Sequence, residues 1–257
     1  MFSCLLIFIE NRILVNELKN PFLPTITTLT NLKLKPYTTF YDKETPIHAC
    51  EPLQEPSALA QLGFALPPVK SFLWQTSSEV QQQILRAFHW VNWEQQSRYC
   101  GHCGAPLQTT AISVEKKCAS CLKSHFPRFS PAVMVLVQKG PELLLARSPH
   151  FKQGFYSAIA GFLEVGETAE NAAHREVKEE LGIEITNLHY FGTQTWPFPD
   201  SFMIAFKADY LKGDLCLDPT EIEDAQWFHK HNLPKLPPSA SISRKLIESA
   251  LNEDNHL

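Results

Sequence analysis

Positive charge is in short supply in this chain. Its 23 Lys and Arg are outnumbered by 27 Asp and Glu, for a net charge of −4, so no whole-chain attraction for nucleic acid or an anionic membrane is expected. Long apolar runs are also missing. The opening MFSCLLIFIENRILV is apolar but short, has no basic segment ahead of it, and is interrupted by Glu10, Asn11 and Arg12. That pattern predicts a strand or hairpin rather than a signal peptide or membrane anchor, and no other stretch is long enough to cross a bilayer. Nor are the cysteines an even set. There are seven (Cys4, Cys50, Cys100, Cys103, Cys118, Cys121 and Cys216), and four of them fall in CxxC pairs. A disulfide framework needs pairs, so this usage points to metal and to a reducing cytoplasm.

What is present describes an ordinary soluble globular protein, with 44% apolar and 19% charged residues. A length of 257 residues suits about two domains with a substantial core. Residues 1–75 contain no catalytic motif, and their short apolar runs are broken by Pro21, Pro24, Pro36, Pro46 and Pro52. A small, irregular β-containing domain is expected there. A helix is predicted from Ser78, with Ser78 and Gln81 as a capping box and Val80, Ile84, Ala87, Phe88 and Val91 at helical spacing. Phe88, Trp90 and Trp93 are expected as core or dimer contacts. The resulting division is an N-terminal domain (1–95), a metal module (96–128) and a catalytic domain (129–257).

The metal module is Cys100-Gly-His-Cys103, fourteen residues, then Cys118-Ala-Ser-Cys121. Two CxxC knuckles at this separation supply four thiolates for tetrahedral Zn²⁺, the pattern of a zinc ribbon. Gly101 and Gly104 allow the tight turn of the first knuckle. Four Cys ligands leave no open position, so the zinc is expected to be structural, with His102 outside the set. Arg98, Lys116, Lys117, Lys123 and Arg128 surround the ribbon. They read either as a solvated basic face or as a contact for RNA phosphate.

Strands are predicted over 133–137, 142–147, 157–160, 188–192 and 203–210 and around Trp227 and Phe228, with a closing helix over 241–253. Set among them is GFLEVGETAENAAHREVKEELGI, Gly161 to Ile183. The span Thr168 to Leu181 holds good helix formers without Pro or Gly, and Gly182 stands where a helix would end. On that helix Glu176, Glu179 and Glu180 fall at i, i+3 and i+4 and share a face, while Ala173, Val177 and Leu181 form an apolar stripe. Three like charges on one face weaken an isolated helix by a few tenths of a kcal/mol per pair, roughly. Clustered hard oxygens suit Mg²⁺ or Mn²⁺, ions that usually bridge to substrate phosphates. Strands on both sides of this helix and a last helix fit an α/β/α sandwich on a mixed sheet.

The same segment resembles the Nudix box, G-x5-E-x7-R-E-U-x-E-E-x-G-U, with Gly161, Glu167, Arg175, Glu176, Val177, Glu179, Glu180, Gly182 and Ile183 at the fixed positions. Downstream, Thr193-Gln-Thr-Trp-Pro-Phe-Pro-Asp-Ser201 is read as a stiff loop between two strands. It is similar to the S-Q-P-W-P-F-P-x-S signature of the NADH pyrophosphatase family, with Thr193 in place of Ser and Thr195 in place of Pro. The resemblance covers about residues 98–250. It implies cleavage of NADH or NAD⁺ to nicotinamide mononucleotide and AMP, removal of NAD caps from RNA 5′ ends, and a homodimer. It further implies that Glu176, Glu179 and Glu180 hold the metals, that Arg175 with Glu167 orients them, and that Glu221 joins as an extra ligand. The general base is left between Glu180 and Glu221. Phe162 and Phe126, the latter usually Tyr in the family, stand at ring-stacking positions. Gln194 and Trp196 belong to the matched signature, and Ser201 and the backbone near Ser243 are expected as polar contacts to the dinucleotide. Two alternatives remain: a pyrophosphatase for ADP-ribose or another nucleoside diphosphate derivative, and an RNA-binding zinc-ribbon protein with a vestigial hydrolase site.

Overall fold

The structure, a computed structural model, describes residues 6–16, 24, 32, 34, 36–42, 45–50, 57–108, 115–151 and 153–252. Cys4, Pro21 and Pro52, named above, and residue 253, the last of the expected closing helix, lie outside them. The chain divides into two compact units, Met1–Arg128 and Phe129–Leu257.

In the first unit the apolar opening forms the expected hairpin. Strand β1 (Leu6–Ile9) pairs antiparallel with β2 (Arg12–Ile13) and parallel with β5 (Thr45–Cys50), which pairs with β4 (Pro36–Asp42). Short strands β3 (Val15–Asn16) and β6 (Phe64–Ala65) pair separately, with helices α1 (Ser57–Gln61) and α2 (Val69–Leu73) beside β6 in sequence. Helix α3 (Ser78–Gln96) buries Ile84, Leu85, Ala87, Phe88, Val91 and Trp93, and Phe88 packs on Phe8 with ring centroids 5.6 Å apart. The capping box is not formed. The helix already includes Ser78, so Ser78 is not its cap, and Gln81 instead donates its side-chain amide to Leu73 O and Thr76 O, both at 2.9 Å. Those bonds tie the last carbonyl of α2 and the turn after it, at Thr76, to the first turn of α3.

The ribbon follows, with β7 (Lys116–Lys117) antiparallel to β8 (Ser124–His125). Lys116 does not belong to a basic surface. It is buried, its Nζ 3.0 Å from Glu94 Oε2 and 3.0 Å from Ser97 O, and it lies 4.8 Å from the Trp93 ring centroid. A buried ammonium is tolerated only when paired in this way. Arg98, Lys117, Lys123 and Arg128 are the exposed members of the set.

The second unit is a mixed sheet between two helices. Its strands are β9 (Ser130–Lys139), β10 (Glu142–Arg147), β11 (Ile159–Phe162), β12 (Glu184–Trp196), β13 (Ser201–Lys212) and β14 (Asp224–His229). The order is β12-β13-β9-β10-β14, with β11 also on β9; β13 and β9 are parallel and the other pairs antiparallel. Both faces are covered, so β9 reads as a continuous apolar run rather than an alternating one. Val133, Val135 and Val137 face helix α4 (Ala169–Leu181), through Ala173, Val177 and Leu181. Met134 and Leu136 face helix α5 (Ile242–Asn252), through Ile242, Leu246, Ile247 and Ala250. This is the α/β/α sandwich expected from the strand pattern. The stretch read as a loop over 193–201 is shorter than expected. Thr193 to Trp196 continue β12, with Thr195 opposite Phe202 and Trp196 opposite Ser201, and only residues 197–200 turn. The prolines that suggested a loop are confined to that turn.

Candidate functional site

Helix α4 forms where its sequence says it should. Thr168 caps it, its side chain accepting from Asn171 N at 3.2 Å, and Gly182 closes it in the left-handed conformation at φ 76°. The strand before it ends at Gly161 and Phe162, which brings the start of the box against the middle of the helix. A Cβ on Gly161 would lie 1.9 Å from the Glu176 carboxyl carbon, so glycine is the residue that lets this carboxylate approach the strand.

Arg175 ties the loop to the helix. Its Nε and Nη2 donate to the two oxygens of Glu167, each at 2.8 Å, in a fork-on-fork pair. Nη2 also donates to Phe162 O at 2.9 Å, while Nη1 reaches Glu176 Oε1 at 2.8 Å and Glu179 Oε2 at 3.0 Å. Glu167 in turn accepts from Glu164 N at 3.0 Å. The guanidinium holds the Glu167 carboxyl down to about 2. One arginine therefore sets the loop and two of the three helix carboxylates.

The third behaves differently. Glu180 is buried, and burial first, then the neighbouring charges of Glu176, Glu221 and Asp218, push its proton affinity up to about 8. Glu180 faces those three acids with Arg175 engaged elsewhere, so the site is short of positive charge. A divalent cation would supply it, and Glu176, Glu179, Glu180 and Glu221 offer the hard oxygens such an ion takes. These four line one cleft of 850 Å³, together with Phe162, Ser201, Ala132 and Met203. Asp218, which the sequence reading passed over as a site residue, lines it too; the signal was its place three residues before Glu221.

Gly161→Ala is expected to lower turnover about 10²-fold, because the added methyl displaces the Glu176 carboxylate by more than an ångström. The displaced group is the far end of a flexible side chain, so the melting temperature should move little. Steady-state kinetics beside a thermal melt checks both halves.

Other expected contacts lie outside the cleft lining. Gln194 donates to Ala240 O and accepts from Ile242 N, both at 2.8 Å, so its amide fastens the start of α5. Ser243 is buried, its hydroxyl 2.8 Å from that of Ser157. Trp196 packs against the α5-side core, its ring 4.9 Å from Phe198. Phe126, in the first unit, is 61% exposed at the end of the ribbon.

The four ribbon thiols are gathered as the spacing predicts. All four sulfurs lie within 4.8 Å of one another, with Cys100–Cys121 and Cys103–Cys118 at 3.6 Å. A tetrahedron with metal–sulfur bonds of about 2.3 Å has edges of roughly 3.8 Å, so the cluster can form a zinc site. The Cys103 backbone N–H is the largest of the influences that draw the Cys100 thiol down to about 5, whereas the Cys103 thiol is pushed up to about 12, so the four become thiolates together only when a metal displaces their protons. His102 stays outside, its Nδ1 3.3 Å from Lys123 Nζ. His125, which no motif marked, places Nε2 3.2 Å from Cys100 Sγ. Imidazole beside a ligating sulfur is a recurrent way of orienting such a ligand.

A mixed sheet between two helices, with the box carboxylates gathered at a strand end, defines the Nudix class. The NUDIX domain family model matches residues 128–250. The NAD-capped RNA hydrolase NudC of Chromobacterium violaceum is 48% identical over 196 residues, covering 74% of this chain and 72% of that protein. The protein of the same name from Pseudomonas aeruginosa is 42% identical over 203 residues, covering 79% and 72%, and that of Pseudomonas putida is 43% identical over 180 residues, covering 70% and 65%. A solved NUDIX hydrolase from Nitrosomonas europaea shares the fold, with TM-score 0.52 at 19% identity, over 62% of this chain and 93% of that one. The chain belongs to the NudC family of Nudix proteins.

Proposed function

We propose that the protein hydrolyses the diphosphate bridge of NADH or NAD⁺, giving nicotinamide mononucleotide (reduced, from NADH) and AMP, and cleaves the same bridge in the NAD cap of RNA 5′ ends, releasing nicotinamide mononucleotide and leaving a 5′-monophosphate on the RNA. The observation that carries this reading is the cleft in which Glu176, Glu179, Glu180 and Glu221 converge beside an exposed aromatic ring, in a chain related to NAD-capped RNA hydrolases. Water adds to one phosphorus, the bridging oxygen leaves with the other, and two monophosphates result. Bound Mg²⁺ or Mn²⁺ supplies the offset of phosphate charge, polarises the phosphorus–oxygen bonds and lowers the pKa of water. The chain's own groups do the rest. Arg175 fixes Glu176 and Glu179 through the contacts above. Glu180, buried at the centre of the acidic cluster, is the base that takes the water proton. Phe162, on the cleft, stacks a flat ring of the dinucleotide, worth about 1–3 kcal/mol, and Phe126 keeps the ring-stacking role that the family resemblance implies. Ser201 is the polar contact in the cleft, while Gln194, Trp196 and Ser243 shape the pocket wall from behind through α5.

The ribbon thiols hold a structural Zn²⁺ in this reading, residues 1–95, 96–128 and 129–257 act as three modules, and the enzyme works as a cytoplasmic homodimer. No helix among the described residues is long and apolar enough to cross a membrane. Side-by-side turnover of NADH, ADP-ribose, diadenosine polyphosphate and an NAD-capped RNA at equal concentration, read by mass spectrometry, tests the substrate. NADH should give reduced nicotinamide mononucleotide and AMP, and the capped RNA should give nicotinamide mononucleotide and a 5′-monophosphorylated RNA, both faster than the other two substrates are cleaved. A clear preference for ADP-ribose would overturn the assignment.

A further inference from the structure

Glu221 lies in a loop, residues 218–224, that is fastened at both ends by different means. At the α4 end the fastening is main chain. Cys216 N donates to Leu181 O at 2.9 Å and Asp218 N to Glu180 O at 3.0 Å, and Glu221 N and Ile222 N both return to Asp218 O, at 3.2 and 2.8 Å. Thr220 donates its backbone N–H and its hydroxyl to Asp218 Oδ1, at 2.8 and 2.7 Å. At the other end the fastening is β10. Glu223 N donates to Arg147 O at 2.9 Å, and Arg147 Nη1 returns to Glu223 Oε2. One residue on, Asp224 stands opposite Arg147 in the strand register, and its Oδ2 accepts from the Tyr156 hydroxyl and, at 2.7 Å, from Gln226 Nε2.

Arg147 carries an unmet donor at this strand end. Its side chain is only 14% exposed, and its Nε is buried without a hydrogen-bond partner. An unsatisfied buried donor is costly, which calls for a reason to keep an arginine at this strand end. The Glu223 bond holds the guanidinium proton and the Asp224 bond holds the Tyr156 proton, so both donors persist across the working pH range.

We propose that Arg147, backed by Tyr156, is a positioning residue for the reaction: it clamps the β14 end of the acidic loop so that Glu221 faces the α4 carboxylates. This rests on the reading of Glu221 as a metal-holding carboxylate given under Proposed function. Arg147 touches neither phosphate nor nucleophile. It acts through Glu223, two residues from Glu221.

The test is a Mn²⁺ titration of the full-length protein, with free Mn²⁺ read by electron paramagnetic resonance, beside kcat at saturating Mn²⁺ and a thermal melt. The variants are Glu223→Ala, Arg147→Ala, the double variant, Arg147→Lys, and Glu221→Gln as reference. Glu223 is half-exposed, so its truncation leaves the fold intact and decides the matter even if Arg147→Ala fails to fold. Each single truncation is expected to weaken Mn²⁺ binding about 10- to 100-fold, with little change in melting temperature. The double variant should be no worse than the weaker single, since both remove one contact, and Arg147→Lys should recover part of the loss. Wild-type Mn²⁺ affinity in Glu223→Ala, alongside a weakened Glu221→Gln, overturns the clamp and leaves the proposed function standing. Wild-type affinity and turnover in Glu221→Gln overturns the metal role of Glu221 and the clamp with it.

Discussion

Glu180→Gln should lower turnover by at least ~10²-fold and yet make the metal-free protein more stable at pH 8. The ordinary carboxyl value is 4.5, and burial with three acidic neighbours lifts Glu180 to about 8. Between those values the folded protein holds a proton that the unfolded chain has released. Stability that is fully present below pH 4.5 is therefore lost as pH rises through 8, by an amount on the order of a few kcal/mol. Glutamine carries no charge at any pH, so the variant lacks this loss. Thermal melts of wild type and variant between pH 5 and 8, in Mg²⁺-free buffer with the ribbon metal retained, should lie closest at pH 5 and separate progressively up to pH 8, the variant melting higher. Added Mg²⁺ should raise the wild type far more than the variant, because only the wild type gains a partner for a buried charge. An active variant would remove Glu180 from the chemistry. A variant that melts lower at pH 8 would show that the buried carboxylate is not the strained group described above.

The box and its helix were legible in the sequence because their information is local. Thr168 as cap, Gly182 as stop and the i, i+3, i+4 spacing of three glutamates determine a helix and its acidic face without reference to the rest of the chain. The ribbon was legible for a similar reason, since two CxxC turns define four ligands wherever the intervening residues go. What escaped depends on pairing across long separations. Lys116 reads as one of five basic residues until α3 is seen to bring Glu94 and Ser97 to it. Gln194 reads as part of a ligand motif until its amide is found holding α5, 46 and 48 residues away. Arg147 carries no motif at all, and its partner Glu223 lies 76 residues downstream. The prolines of the signature stretch misled in another way: they mark the turn strongly enough to hide the strand running into it from Thr193 to Trp196.

Cys103→Ser is expected to cause the largest loss of stability, and to do so without touching the cleft. Apart from the buried Lys116 contacts to Glu94 and Ser97, the ribbon has little regular structure of its own. Strands β7 and β8 are two residues each, and Leu122, at φ 61°, together with Gly104 at φ 73°, places the turns after the two knuckles in the left-handed region. Two-residue strands are far too short to be stable alone, so the module's order depends on the bound metal. Structural zinc contributes about 10–16 kcal/mol of apparent binding energy in small zinc modules, much of it folding energy. Loss of one thiolate from four should remove a large part of that. Zinc content by mass spectrometry should fall below one ion per chain, and the melting transition should broaden or split. The carboxylate cleft lies in the other unit, Phe129–Leu257, so Mn²⁺ binding should survive in whatever fraction stays folded. KM is the informative readout, because Phe126, read above as a ring-stacking residue, follows His125 directly, and His125 sits against Cys100; KM should rise while metal affinity holds. Unchanged zinc content together with unchanged melting would show that the four sulfurs are gathered for some purpose other than a structural ion.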